Sequence, residues 1–230
     1  MLIKFRIALK ESLFYIGLAV KSLRFWHNGQ PVLTPLELSR FVETRCKWIS
    51  QTTLIGYVKT RAGTRYLSLF EDEVFANSLN IAKWEIYLAC LSDMSVYATA
   101  AVGKAADATE EELNAMALYI YKTALGIYMT ALGNDDIPPE RPQGFDDVRE
   151  IFKTRINEIT WQEAPVGEAP FLGSMDALFE WAPIADELKK FDTVPVKNSM
   201  RFKWKRLRDI LGTLLDADSV LARSRDIEGR

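Results

Sequence analysis

A chain of 230 residues with 48% hydrophobic and 26% charged side chains is ordinary globular material, long enough to bury a sizeable core. Two cysteines, Cys46 and Cys90, and one histidine exclude a multi-disulfide framework, a two-histidine metal centre and any motif of the HExxH or paired Glu-x-x-His type within one copy. The net charge of -2 hides a segregation. Residues 1–65 carry 11 Lys and Arg against 3 Asp and Glu, residues 66–195 carry 9 against 23, and residues 196–230 carry 9 against 5. Basic ends and an acidic middle either neutralise each other in the fold or leave a basic face.

Residues 1–26 begin like a signal peptide, but Lys10 and Glu11 break the pattern and no small-x-small cleavage site follows. A retained helix is expected. Arg6, Lys10, Lys21 and Arg24 fall within about 60° of one another at 100° per residue, beside a broad apolar surface ending in Phe25 and Trp26. That pattern suits either an interfacial membrane helix or a core helix with a solvated basic stripe. His27 to Pro31 reads as a turn.

Residues 36–61 read as a helix with Arg40, Glu43, Thr44, Lys47, Ser50 and Gln51 toward solvent. On its apolar side Arg45 stands among Leu38, Phe41, Val42 and Ile49, a conflict that a buried acid or a ligand would resolve. Thr52, Thr53 and Gly56 are small enough to admit a neighbouring backbone. A short connection to the next helix favours antiparallel packing and an Arg45 partner in Glu85 or Asp93. The connection holds Arg61, Gly63, Thr64 and Arg65, which suit either a glycine cap with basic residues at the helix C-terminus or an anion cradle.

Residues 72–102 are apolar around the whole helical circumference, interrupted by Lys83, Glu85 and Asp93. Such a helix is buried, and these charges demand partners; the charges also count against a membrane span. Asn80, Lys83 and Tyr87 share one side. Thr109 and Glu112 spell a capping box before a second run, residues 113–132, that is apolar on every side with Lys122 near its middle. Two such helices imply a bundle centre or a homodimer interface.

Residues 134–144, with three prolines, read as a loop. Residues 145–161 form an amphipathic helix whose Asp146, Asp147 and Glu150 answer the helix dipole more simply than they answer a metal. Ser174 is an expected N-cap for residues 175–181, and Asn198 or Ser199 for a last helix. That helix carries five cations in eight residues, Arg201, Lys203, Lys205, Arg206 and Arg208, interleaved with Phe202 and Trp204. Residues 227–230 spell a protease recognition site used in expression vectors and are set aside as a remnant.

The expectation is a single all-α domain, residues 1–226: a bundle of about six to seven helices around two all-round apolar ones. No cofactor or metal is implied, and two thiols in apolar helical patterns fit a cytoplasmic chain, their pairing in one disulfide being the minor alternative. The favoured function is binding or scaffolding at the cytoplasmic membrane surface. Arg6, Lys10, Lys21, Arg24, Arg201, Lys203, Trp204, Lys205, Arg206 and Arg208 would then meet anionic lipid or an acidic protein. An enzyme acting on an anionic or lipid-like substrate is the second reading, its pocket drawn from Arg45, Arg61, Thr64, Arg65, Asn80, Lys83, Glu85, Tyr87 and Asp93. Nucleic-acid binding comes third, disfavoured by the acidic middle.

Overall fold

The computed structural model describes residues 29–132, 146–164 and 166–228, and every element below lies in the unit Val32–Arg230. The basic stripe of residues 1–26, His27 and the loop expected over 134–144 lie outside the described residues. The architecture is an all-α bundle, with no strand among the described residues.

Helix α1, Pro35–Ala62, starts where Thr34 accepts from the Glu37 amide at 3.1 Å while Glu37 reaches back to the Leu33 amide at 3.0 Å. Pro35 stands in the first turn, where a missing N–H costs nothing. The helix stops at Gly63, whose φ of 55° is open to glycine and whose N–H returns to the Lys59 carbonyl. A 3-10 turn, Gly63–Arg65, and the short α2, Tyr66–Leu69, lead to Asp72. The Asp72 carboxylate accepts from the amides of Val74 and Phe75 and opens α3, Glu73–Ala105.

Helix α3 has 33 residues, about 50 Å of length at 1.5 Å per residue, and it is the axis of the bundle. It packs against α1, against α4 (Glu110–Leu132), α5 (Asp146–Asn157) and α6 (Leu172–Trp181), and against α9 (Ala217–Glu228). Leu79, Trp84, Ile86, Tyr87, Cys90, Leu91, Met94, Val96 and Val102 are buried right round it. Among the described residues it is the helix long and apolar enough to cross a membrane, at a mean hydropathy of 1.3, yet 78% of that window is buried inside the protein. Its apolarity is spent on the core. The Cys46 thiol donates to the Cys90 carbonyl oxygen at 3.2 Å. The two residues lie about equally far from the connection, as antiparallel packing of α1 and α3 requires, and both thiols are free and buried.

Helix α4 begins with the capping box: the Thr109 amide donates to Glu112 at 2.8 Å and the Glu112 amide to Thr109 at 3.2 Å. Its buried ridge of Leu113, Met116, Ala117, Ile120, Tyr121, Ala124, Leu125 and Tyr128 repeats at three and four. Lys122 is exposed on the other side. The ridge joins an aromatic core in which Tyr128 stacks on Tyr87 at 3.9 Å and Tyr121 on Phe152 at 4.1 Å.

After α6 come α7, Asp186–Lys189, and α8, Thr193–Leu214. The last long pattern therefore starts earlier than Asn198, because Pro195 is tolerated in a first turn. Helix α8 runs antiparallel to α1: Asp192 meets Tyr57 and Arg61, Lys203 meets Thr53, and Val32 pairs with the segment after α8 through Leu214 and Asp216. Three details of α1 differ from expectation. Glu43 and Ser50 are buried rather than solvated, and Gly56 is exposed with nothing within 4 Å of where a Cβ would stand. Helices packed along much of α1 leave it a narrower wet face than its polar residues imply.

Glu112 also receives Arg225 of α9 at 2.6 Å, and these bonds hold its carboxyl down at about 2, against an ordinary 4.5. A depressed carboxyl contributes stability that is present above 4.5 and is lost as pH falls toward 2. The melting temperature of the wild type should therefore fall more steeply over that window than that of E112Q, as followed by circular dichroism.

Candidate functional site

Of the three charges expected to break the hydrophobic rule of α3, Lys83, Glu85 and Asp93, it is Asp93 that is fully buried. One carboxylate oxygen accepts from Arg155 Nη1 of α5 at 2.8 Å and the other from the backbone N–H of Ser174 at 2.7 Å. Arg155 also donates to Ser92 Oγ and reaches the Pro170 carbonyl oxygen. Asp93 is thus a cap supplied from another helix: its charge faces the first turn of α6, where amides have no intrahelical partner. Gly173 makes the approach feasible, since a Cβ there would stand 3.0 Å from Asp93 Oδ1. Burial still outweighs Arg155 and the Ser174 amide, and lifts the carboxyl above its ordinary value.

Two expectations are corrected here. Asp93 pairs with Arg155, not with Arg45, because α5 crosses α3 at that level. Ser174 lies inside α6 rather than at its N-cap, its hydroxyl returning to the Phe171 carbonyl oxygen at 3.0 Å. Arg155 was legible only as a cation next to Ile156 on an amphipathic helix.

The other candidates do not converge. Arg45 is buried, with its guanidinium 4.9 Å over the Phe41 ring; burial, and then Arg206, draw it down to about 10. Arg61 forks onto Asp192, which also accepts from Tyr57 at 2.9 Å, so the anion at this corner is a carboxylate of the chain itself. Thr64 and Arg65 are exposed beside it. Asn80, Lys83 and Glu85 are half-buried, and each is engaged by a neighbour. Tyr87 is buried in the aromatic core with its hydroxyl unbonded, and burial pushes that phenol well up. Among the described residues no three metal-binding side chains gather.

The basic patch of α8 is redistributed. Trp204 is fully buried, stacked on Phe171 at 4.3 Å. Lys203 turns inward to Thr53 Oγ1 at 2.8 Å, and Arg208 lies over the Phe171 ring and donates to the Gly167 carbonyl oxygen. These three leave the surface set because Met200, Trp204, Leu207 and Leu211 define the buried side of α8. Arg201, Lys205 and Arg206 stay exposed. They are joined by Phe202, at 74% exposure, and by side chains the sequence pattern did not single out: Lys190, Phe191 at 82% exposure and Val194 at 69%. On α8, Val194, Arg201, Phe202, Lys205 and Arg206 share one side, within about 140° at 100° per residue. An open groove of about 390 Å³ adjoins its start, lined by Phe179, Lys189, Lys190, Thr193 and Lys197 with Asp176 and Asp186.

Breaking a buried pair leaves its partner uncompensated, so D93N should cost about 3 kcal/mol in urea unfolding. The double variant D93N/R155M should cost less than the sum of the single ones. G173A should lose about 1–3 kcal/mol by pressing on Asp93. No protein-family model, no curated protein and no solved structure matches this chain.

Proposed function

We propose that this is a non-enzymatic binding or scaffold protein that rests on an anionic membrane surface through α8 and the turn before it. The observation that carries the reading is the exposure of Phe191, Val194 and Phe202 among Lys190, Arg201, Lys205 and Arg206. Large apolar side chains left in water are costly, and placing them in the acyl boundary recovers that cost while the cations meet headgroups. Each cation near an anionic surface contributes about 1 kcal/mol. Arg201 lies 3.7 Å from Glu168 and Lys205 2.9 Å from Asp209, which reduces their share. Their reduced charge, with Lys190 and two rings, suits reversible, salt-sensitive docking. An acidic protein offers the charge but not the apolar layer that Phe191 and Phe202 call for. Asp93, Arg61 and Tyr87 are each taken up at a different place, by Arg155, by Asp192 and by the aromatic core, which counts against the enzyme reading.

Sedimentation with phosphatidylcholine vesicles, with and without phosphatidylserine, tests the proposal. The wild type should pellet with the anionic vesicles alone and release at high salt, and F191A/F202A should bind about tenfold more weakly, consistent with loss of roughly 1–2 kcal/mol of apolar insertion. Equal binding to both vesicle types, or to neither, would overturn it.

A further inference from the structure

The open groove of about 390 Å³ that joins α6, α7 and the start of α8 has a volume in the range of small-molecule sites, and it holds both signs of charge. Lys189, Lys190 and Lys197 bring three ammonium groups to it, and Asp176 and Asp186 two carboxylates. Lys197 pairs with Asp176 at 2.9 Å and Lys189 with Asp186 at 3.4 Å. Lys189 also donates to the Glu180 carbonyl oxygen at 3.3 Å. The Asp176 side chain is still 68% exposed, so its pair is weak and exchanges readily. Lys190 is exposed, and no carboxylate of the described residues pairs with it. The Phe179 ring lines the same groove, three residues from Asp176 on α6, and Lys197 Nζ stands 5.8 Å from its centroid, so the ring already receives a cation.

Such a groove discriminates by more than net charge. A ligand with anionic groups alone gains from the lysines but is repelled by the two carboxylates, whereas one that also carries an ammonium meets an opposite charge at every group. Position narrows the choice further. Phe191, at 82% exposure, follows Lys190 in the chain, and Val194, at 69%, follows Thr193, so the side chains that enter the acyl boundary in the membrane reading adjoin the groove. A soluble ester would leave them in water. Resting on that reading, the geometry points to a headgroup site for phosphatidylserine in this groove. Lys190 and the Thr193 hydroxyl take the phosphate. The serine carboxylate goes to Lys197 and its ammonium to Asp176 beside the Phe179 ring, so the headgroup enters that weak pair and leaves neither partner unmatched. Phosphatidylglycerol carries the same net charge without the ammonium, and offers Asp176 nothing in exchange for Lys197.

The test is sedimentation of the full chain with phosphatidylcholine vesicles that contain equal fractions of either phosphatidylserine or phosphatidylglycerol, in a chelator that keeps divalent cations from bridging carboxylates. The wild type should bind the phosphatidylserine vesicles about fivefold more tightly, the scale of one added charge-assisted contact. D176N, a change at an exposed side chain that stability tolerates, should bind phosphatidylglycerol vesicles at least as tightly as the wild type, because Lys197 is freed, and should show no preference between the two lipids. K197M should lose the preference as well while binding both lipids more weakly, and it carries the comparison if D176N does not fold. Equal binding of the wild type to both lipids, tighter binding to phosphatidylglycerol, or a serine preference that survives in the folded variants overturns the headgroup site and leaves the membrane reading standing. Binding to neither vesicle overturns both.

Discussion

The bundle depends on one desolvated carboxylate. Asp93 lies at the middle of a helix covered on nearly every side, and burying such a charge costs several kcal/mol unless bonds replace its water. The chain supplies two, Arg155 from α5 and the Ser174 amide from α6, so a single side chain fixes how both helices sit against α3. Buried pairs contribute little net stability when compared with hydrophobic replacements. What Asp93 contributes is register: slide α6 by a turn and its first amides lose their acceptor while Asp93 loses its donor. Gly173 is part of the same device, as the residue without a Cβ where α6 comes nearest to the carboxylate.

Much of the charge segregation of the sequence is resolved around this frame. The basic C-terminal part reaches the acidic middle through Lys197 and Asp176, Arg201 and Glu168, and Arg225 and Glu112, and the first basic part through Arg61 and Asp192. These contacts are mostly at the surface and individually weak. Two places stand out on this frame. One is the outer side of α8, where cations flank exposed rings; the other is the contact of α8 with α1, where Lys203 turns inward to Thr53. The proposed membrane contact uses the first of these, because that is where rings and cations are exposed together.

A good part of this was legible from local chemistry. The capping box at Thr109, the glycine stop at Gly63 and the all-round apolarity of α3 depend on neighbours within a turn or on composition, and they emerged as read; the equally local cap at Thr34 was not singled out. Helix α4 shows the limit, since its residues are apolar on all sides while its fully buried positions form a single ridge. The site was less legible. Arg45 was rightly placed inside, yet the partner of Asp93 came from a helix more than fifty positions along the chain, and no periodicity encodes such a pairing. Trp204 and Lys203 belonged to a basic aromatic run until the direction in which α8 packs turned both inward, the indole onto Phe171 and the ammonium onto Thr53.

By itself, the sequence determined that the chain is helical, where several helices begin and end, and that α3 is central, because these follow from hydrogen bonding and hydrophobic period along a few turns. Tertiary structure alone decided which charges meet, which cations remain at the surface and where two basic segments abut. Those outcomes depend on the facing of one helix against another, and a rotation of α8 by a third of a turn would have exchanged Lys203 for its neighbours without changing a single local preference.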